Sequence, residues 1–353
     1  MRVVHWTQYN GSGMNSVAEE MVRAERALGI DSILLNSFLD KDWTKAFDAD
    51  VHVSHTWFPE TYNGKSLRRQ FTKPLKIVFM DHGTPEHVFY STMEQAEYGG
   101  YAHGDSMMLF YYWLQHADAR VTFWPRHQAL LETMVDKGTV IDCVPMGIDT
   151  KFWAGGAALG KEGGTPSVWS SENPHQIKWP LDLILMWPLV YPHLDGASLH
   201  LNYVPTTQHR VWAPLIDRNG AGYGMHWSAN TYPHSNLRNI FKGIDYFIGL
   251  VRYGDFNRLC LEANAANPHL YSISYPGNPY SDYWLTEGDQ RVAAKELIKV
   301  LSGDVSPRQK EPVPDCADTA KAMIKIYERI LDAPAAIQVP SSPLVLVKSE
   351  AVA

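Results

Sequence analysis

Cysteine is scarce in this sequence. The 353 residues contain three, Cys143, Cys260 and Cys316, which lie far apart and form no CxxC pair. Such spacing gives no sign of a disulfide framework or of a cysteine-based zinc site. A reducing compartment fits a chain with these isolated thiols, and we therefore expect a cytoplasmic protein.

Long apolar runs are lacking as well. A membrane-spanning helix needs roughly 20 consecutive apolar residues. The nearest candidate, residues 181–191, is short and contains Pro188. The apolar run that follows Met1 is too short for a signal peptide. We expect a soluble protein with no transmembrane segment.

A strong positive charge is absent too. The chain has 31 Lys and Arg against 38 Asp and Glu, which gives a net charge of −7. A protein of this charge does not hold nucleic acid by bulk electrostatics. A local basic cluster is nevertheless present at Arg68, Arg69, Lys73 and Lys76. Aromatic residues are plentiful, with 12 Trp and 18 Tyr that suit core packing or stacking on sugars and bases.

Short apolar segments alternate with amphipathic ones through the first half of the chain. A helical pattern at 16–28, with apolar residues three and four positions apart, separates the first two strand patterns. Strands separated by helices predict a parallel, doubly wound α/β sheet. The strand patterns occur at 2–6, 31–36, 50–54, 76–80, 120–124 and 140–144.

The length suits two domains better than one core. Residues 155–166 are rich in Gly and Ala, as is typical of a linker, and the strand pattern restarts after them. We therefore predict one Rossmann-like domain at 1–154 and a second at 167–315. A terminal helix and tail at 316–353 is expected to pack back towards the first domain.

The stretch 253–263, YGDFNRLCLEA, is the most informative segment. It follows an apolar strand pattern at 246–251 and leads into a helical pattern that contains Glu262. In a parallel sheet this is the position where the carboxyl ends of strands meet a ligand. Loop amides and a helix N-terminus favour anions there. Taken alone, the stretch also suits a plain strand–loop–helix unit with one solvated Glu.

Four further segments place small or polar residues just after a strand pattern. They are Gly11-Ser12-Gly13, the segment 79–85 with His82, the segment 50–55 that ends in His55, and Pro276-Gly277-Asn278. The first of them would also suit an ordinary tight turn between a strand and a helix.

These segments together resemble the retaining glycosyltransferases of the GT-B fold, a large group that includes sucrose synthases and many bacterial mannosyl- and glucosyltransferases. That family has a loop similar to Tyr/Ser-Glu-Gly-Phe-Gly-Leu-Pro that ends in Glu-Ala. Residues 253–263 align with this loop without a gap, but its first Glu falls on Gly254, with Asp255 beside it. The matching residues are Phe256, Leu261, Glu262 and Ala263.

A second match lies at 143–153, CVPMGIDTKFW, where the family has Val-Ile-Pro-Asn-Gly-Val-Asp-x-x-x-Phe. The residues in agreement are Pro145, Gly147, Asp149 and Phe152. We expect Gly147 to provide a tight turn and Asp149 to cap the next short helix.

The resemblance implies two Rossmann-like domains facing each other across a cleft, and transfer of a sugar from a nucleotide-diphosphate sugar to an acceptor hydroxyl with retention. It implies neither a catalytic metal nor a cofactor. The catalytic residues it implies are His82, Lys178 and Asp255. The donor-binding residues it implies are Gly13, Lys178, Arg252, Asn257, Arg258, Leu259, Glu262 and Gly277. Those it implies on the acceptor side are Gly11, His55 and His82.

Within this scheme Lys178 stabilises the leaving diphosphate, Glu262 holds the ribose, and Asp255 and His82 contact the transferred sugar. The family pairs the Lys with an Arg that has no counterpart here, and His175 or Arg252 is expected to replace it. Retention in the family proceeds by front-face attack, so no enzyme nucleophile is implied.

Several alternatives remain open at this level. The acceptor is a glycan or lipid head group, a hydroxymethylated base of viral DNA, or a small metabolite, and the transferred group is a hexose or a pentose. Because Gly254 replaces the first Glu of the motif, the chain could instead bind nucleotide or glycan without transfer. A related cleft enzyme, such as an epimerase or a phosphorylase, is a further alternative. The sequence does not determine the oligomeric state.

Overall fold

The chain folds into two compact units, residues 1–148 with 314–353, and residues 149–313. The structure is a computed structural model. It describes residues 1–7, 13–37, 39–55, 58–59, 61–63, 65–82, 104–157, 166–171, 180–202, 217, 222–228, 232–252 and 257–333.

The first unit is built on a six-stranded parallel sheet with the order β2-β1-β3-β6-β7-β8. Both faces of this sheet are covered, so successive side chains of a strand are buried on opposite faces. The strand sequences are therefore nearly continuous apolar runs. The strands are β1 (Arg2–Thr7), β2 (Asp31–Asn36), β3 (Val51–His55), β6 (Ile77–Met80), β7 (Ala119–Thr122) and β8 (Ile141–Cys143), with a small antiparallel pair β4 (Thr61–Tyr62) and β5 (Lys65–Ser66) between β3 and β6.

Among the described residues of this unit, three helices follow strands of the sheet: α1 (Gly13–Ala27), α2 (Gly104–His116) and α3 (Pro125–Glu132). Helix α1 forms because apolar residues recur at helical spacing, and its buried face includes Val17, Met21 and Val22. Large aromatic side chains fill the core of the unit. They include Trp6, Phe58, Phe79, Phe110 and Trp113.

The second unit repeats the plan with a six-stranded parallel sheet ordered β11-β10-β9-β12-β13-β14. Its core contains Val168, Trp187, Leu199, Ile248 and Ile273. The strands are β9 (Ser167–Ser171), β10 (Ser198–Asn202), β11 (Met225–Ser228), β12 (Tyr246–Gly249), β13 (Tyr271–Ser274) and β14 (Tyr283–Trp284). The helices are α4 (Thr150–Ala154), α5 (Pro180–Val190), α6 (His234–Gly243), α7 (Arg258–Ala266) and α8 (Gln290–Leu301).

These two sheets confirm the predicted fold class, a pair of doubly wound Rossmann-like α/β units. Helix α2 and the edge strands β11 and β14 were missed. Helix α2 has apolar residues on most of its turns, so its sequence lacks a clear amphipathic period. Strand β14 has only two residues, and β11 contains polar side chains because it lies at a sheet edge. None of the described helices is long and apolar enough to cross a membrane.

The strand orders locate where each sheet would bind a ligand. In each sheet the order of the strands reverses direction once, between β1 and β3 in the first unit and between β9 and β12 in the second. Open parallel sheets bind ligands outside the carboxyl ends of the strands at such switch points. A ligand is therefore expected beside the residues that follow β1 and β3 in the first unit, and β9 and β12 in the second.

The terminal helix α9 (Cys316–Asp332) returns to the first unit and packs against α1. Its first turn lies against the segment that follows β8. The Ile148 amide donates to Pro314 O at 3.1 Å, the Cys316 amide to Ile148 O at 2.9 Å, and the Gly147 amide to Thr319 Oγ1 at 2.8 Å. Asp149 caps α4 as predicted, its carboxylate accepting from the Phe152 amide at 2.9 Å.

Gly147 is glycine because of a close approach, and its φ is not in the left-handed region. A Cβ there would lie 2.3 Å from the backbone oxygen of Asp315 and 2.6 Å from Thr319 Oγ1.

We expect Gly147→Ala to lower the free energy of unfolding by about 1 to 3 kcal/mol, since the backbone of α9 must shift. Urea unfolding measures the change. A matched Gly222→Ala variant meets no atom within 4 Å and should leave stability nearly unchanged, and equal stability of both variants would contradict the packing role of Gly147.

Candidate functional site

Six of the residues predicted to bind the donor, Arg252, Asn257, Arg258, Leu259, Glu262 and Gly277, follow β12 or β13 in the chain, beside the switch point of the second sheet. Strand β12 ends at Gly249, Arg252 follows it, and α7 begins at Arg258. Asn257 caps that helix, its side-chain oxygen accepting from the Leu259 amide at 2.9 Å. The cap fixes the start of α7 so that its positive end lies next to the sheet's carboxyl edge.

Glu262 is a buried carboxylate one turn into α7, with 2% of the residue exposed. Its Oε1 accepts from Arg258 Nε at 2.8 Å, an ion pair between residues four positions apart on one face of the helix. A buried carboxylate requires a partner of this kind because its desolvation is otherwise costly. Arg258, predicted to bind the donor, therefore forms an ion pair with Glu262.

Arg252 is held in place by Asp182, a residue for which no role was predicted. Its Nε and Nη2 donate to the two carboxylate oxygens at 2.9 to 3.2 Å. Gln290 Nε2 donates to Asp182 Oδ1 at 2.9 Å, and the Tyr275 hydroxyl donates to Oδ2. Burial, followed by the hydrogen bond to Asp182, raises the pKa of Tyr275 well above its usual range, so the hydroxyl stays a donor.

This network fixes a cation at the carboxyl end of β12. Asp182 is 1% exposed, whereas the Arg252 side chain is 21% exposed and reaches the surface of the unit. A bidentate pair leaves little rotational freedom to the guanidinium. The sequence did contain a signal for Asp182, because it is the one acidic residue in PLDLILMWPLV, an otherwise apolar helix.

Gly277 lies in the loop after β13 and has a φ of 113°, a conformation that favours glycine. The next residue, Asn278, is buried and accepts from the Tyr280 amide at 3.0 Å. Its Nδ2 has no hydrogen-bond partner among the described residues. The loop thus places backbone groups and a side-chain amide donor at the carboxyl end of β13, the strand next to β12.

In the first unit, His55 and His82 stand at the carboxyl ends of β3 and β6 and contact each other. His55 Nδ1 and His82 Nε2 lie 2.7 Å apart. His55 is 1% exposed, and burial, with smaller contributions from His82 and His5, lowers its pKa well below the usual value. His82 is half-buried, and its ring centroid lies 5.4 Å from that of Phe123. Gly13, predicted near the donor, is the first residue of α1, just after the carboxyl end of β1.

Three predicted site residues, Gly11, Lys178 and Asp255, lie outside the described residues, as does Gly254. In the part of the chain that is described, no group of three or more His, Cys, Asp and Glu side chains is arranged to hold a metal ion. The basic cluster named from the sequence is partly neutralised. Lys73 pairs with Asp50 at 2.6 Å, and the buried Lys76 lies 3.5 Å from Asp118.

The chain is similar to known proteins in its fold. No protein-family model matches the chain, and no curated protein matches it. Among solved structures, the chain is similar to sucrose-phosphate synthase from Thermosynechococcus elongatus, with 13% identity, 94% of this chain and 96% of that chain covered, and a TM-score of 0.65.

Two further structures have similar extents. A glycosyltransferase from Rickettsia africae has 14% identity, with 94% and 99% of the two chains covered and a TM-score of 0.60. HepE from Anabaena, solved in complex with UDP and glucose, has 10% identity, with 94% and 98% covered and a TM-score of 0.58. At these identities the similarity establishes the fold, which is that of the GT-B glycosyltransferases.

Proposed function

We propose that this protein is a glycosyltransferase that moves a sugar from a nucleotide-diphosphate sugar to an acceptor hydroxyl with retention. The observation that carries the proposal is the arrangement at the carboxyl edge of the second sheet. There a fixed guanidinium, that of Arg252, lies at the end of β12, and the capped N-terminus of α7 with its buried Glu262 follows in the chain. Such an edge suits a ligand that has both a diphosphate and sugar hydroxyls.

The positive and the negative groups of this edge would bind different parts of the donor. Arg252, the positive end of α7 and Lys178 would bind the diphosphate. Glu262 would accept hydrogen bonds from the ribose hydroxyls, and the loop at Gly277 would approach the donor sugar. The complexes of HepE with UDP and glucose and with UDP-glucose support a UDP-linked donor.

The chemical step requires stabilisation of the leaving group more than it requires a nucleophile. The bond between the anomeric carbon and the diphosphate breaks, and the acceptor oxygen bonds to the same face. The acceptor proton passes to an oxygen of the departing diphosphate. Arg252 and Lys178 would stabilise the charge that develops on that diphosphate. His82 and Asp255 would orient the transferred hexose or pentose, without a metal or a cofactor.

For the acceptor, the charges of the first unit favour a glycan or lipid head group over a modified base in DNA. A DNA acceptor would need cations for its phosphates, but Lys73 and Lys76 already face carboxylates. Arg68 lies over the ring of Trp113 at 5.5 Å. Two of the four cations of the basic cluster are therefore already paired with carboxylates, which weakens its attraction for a nucleic acid.

A panel of nucleotide-diphosphate sugars tests the proposal. We expect release of a nucleoside diphosphate from at least one donor, slow with water and faster with an acceptor, and a product with the donor's anomeric configuration by NMR. Calorimetric titration with the same donors and with UDP measures binding separately. Binding without release in any mixture would favour the non-catalytic alternative motivated by Gly254, and failure to bind any nucleotide would overturn the proposal.

A further inference from the structure

A chain of titratable side chains runs through the interior of the first unit and ends at His82. Glu25 Oε2 of α1 lies 2.9 Å from His5 Nε2 of β1. His5 Nδ1 lies 2.9 Å from His55 Nε2 of β3, and His55 Nδ1 lies 2.7 Å from His82 Nε2. Each ring nitrogen of His5 and His55 therefore takes part in one link of the chain.

The inner part of this chain is sealed from solvent. His5 and Glu25 are fully buried, and His55 is almost so. Tyr327 of α9, also fully buried, donates its hydroxyl hydrogen bond to Glu25 Oε1 at 2.7 Å. Within the part of the chain that the structure describes, the titratable groups along this chain are Glu25 from α1, Tyr327 from α9 and the three histidines, with Asp81 next to His82 in sequence. Among the described members of this chain, His82 is the one whose ring is only half-buried, so we expect protons to enter and leave at that end.

The charge of Glu25 and the protonation state of His5 together set the direction of the hydrogen bonds in the chain. Burial alone would raise the pKa of Glu25, but His5 and the hydrogen bonds from His5, Ser32 and Tyr327 hold it below the usual value. An ionised carboxylate only accepts, so His5 Nε2 must bear a proton. If His5 is neutral, its Nδ1 accepts from His55 Nε2–H, and His55 Nδ1 accepts from His82 Nε2–H. All three rings are then Nε2–H tautomers.

One added proton reverses the chain without moving an atom heavier than hydrogen. The proton binds His82 Nδ1, the proton on His82 Nε2 passes to His55 Nδ1, and the proton on His55 Nε2 passes to His5 Nδ1. The net result is one proton gained at His82 and an imidazolium at His5, directly beside the Glu25 carboxylate. His82 and His55 end neutral, as Nδ1–H tautomers.

We propose that Glu25, His5 and His55 are positioning residues that form a proton relay, through which a proton taken up at His82 is held as a His5–Glu25 ion pair inside the first unit. Together they decide whether His82 accepts or donates at its other ring nitrogen. The role of the relay at the sugar rests on the proposed transferase function. In that reaction the relay keeps positive charge off His82, because a cation there would oppose the positive charge that develops on the sugar. The relay itself does not depend on any donor.

His52 provides a comparison within the same strand. It is also buried, but it faces the other side of β3 and accepts one hydrogen bond, from Trp6 Nε1 at 3.2 Å. Burial lowers the pKa of His52 to about 3. His52 is therefore a neutral histidine that packs in the core and is not linked to the relay. His5, His55 and His82 are linked by hydrogen bonds in a row, and the row ends at the Glu25 carboxylate.

NMR of the protein labelled with ¹⁵N at the histidine rings tests the relay. At high pH we expect His5, His55 and His82 to be Nε2–H tautomers. As pH falls we expect them to change together, with one midpoint and the cationic signature on His5, while His52 stays unchanged. In Glu25→Gln the midpoint should fall by about 1 to 3 pH units, because the opposite charge that favours the cation is gone. Tyr327→Phe keeps the carboxylate and should keep the shared midpoint.

Separate midpoints for the three rings, or a cationic signature on His82 instead of His5, would overturn the relay. So would a folded Glu25→Gln variant with an unchanged midpoint. If that variant does not fold, the wild-type titration decides alone. Absence of sugar transfer would count against the proposed function only, since the ring titration is measured without a donor. Where transfer is measurable, its pH profile should shift in Glu25→Gln in step with the NMR midpoint.

Discussion

Replacing Asp182 by alanine is expected to lower the free energy of unfolding of the second unit by about 3 to 5 kcal/mol, the usual result of removing one partner of a buried ion pair. The carboxylate accepts hydrogen bonds from Arg252, Tyr275 and Gln290, and all three donors lose it at once. Because the Arg252 side chain is 21% exposed and can be hydrated, the lower end of this range is expected. Urea unfolding, with hydrogen exchange of α5 and β13 to follow this unit, measures the loss.

Two variants define what Asp182 contributes. Asp318→Ala removes a carboxylate whose pair with Lys321 is more than half exposed, and it should change stability by no more than about 0.5 kcal/mol. Asp182→Asn keeps the shape and one acceptor, so it should be less harmful to folding than alanine while still releasing Arg252. A loss below about 1 kcal/mol in Asp182→Ala would show that solvent replaces the carboxylate, contrary to its burial.

Replacing Glu262 by alanine is expected to weaken binding of the nucleotide donor by about 10- to 100-fold, or about 1.4 to 2.8 kcal/mol. The reason is the loss of charged hydrogen bonds to the ribose, each worth about 1.5 to 3 kcal/mol. Calorimetric titration with UDP and with the preferred donor sugar gives the change, and Glu262→Gln separates charge from shape.

The matched control is Glu296→Ala in the same unit. Glu296 lies on α8 and accepts from the amide and hydroxyl of Thr286, so its removal should leave donor affinity unchanged. If Glu262→Ala loses stability but binds donor as the wild type does, Glu262 serves only as the buried partner of Arg258, and the ribose assignment is wrong.

Much of the scaffold was predictable because it depends on local pattern. Buried parallel strands need continuous apolar runs, and helices on their faces need apolar residues at helical spacing, so β1, α1 and β12 were predicted from the local order of apolar residues. The cap at Asn257 and the cap at Asp149 are equally local, since each involves residues within three positions. Edge strand β14 was missed because two residues carry no period.

The partners of the site residues were not predictable in this way. Asp182 and Arg252 are 70 positions apart, and Glu25 and Tyr327 are 302 apart. Gly147 was predicted to provide a tight turn. The structure gives another reason for glycine, because the backbone of Asp315, far along the chain, leaves no room for a Cβ at this position. Nothing in the local sequence encodes which distant side chain fills such a space.

The sequence by itself therefore determined two parallel α/β sheets and the segments that follow their strands, because periodicity and turn chemistry act over a few residues. Only the tertiary structure decided that Arg252 is fixed by Asp182, that Arg258 is engaged by Glu262, and that His82 ends a chain leading to Glu25. Those choices depend on strand order and helix packing, which bring residues from distant parts of the chain within hydrogen-bond distance.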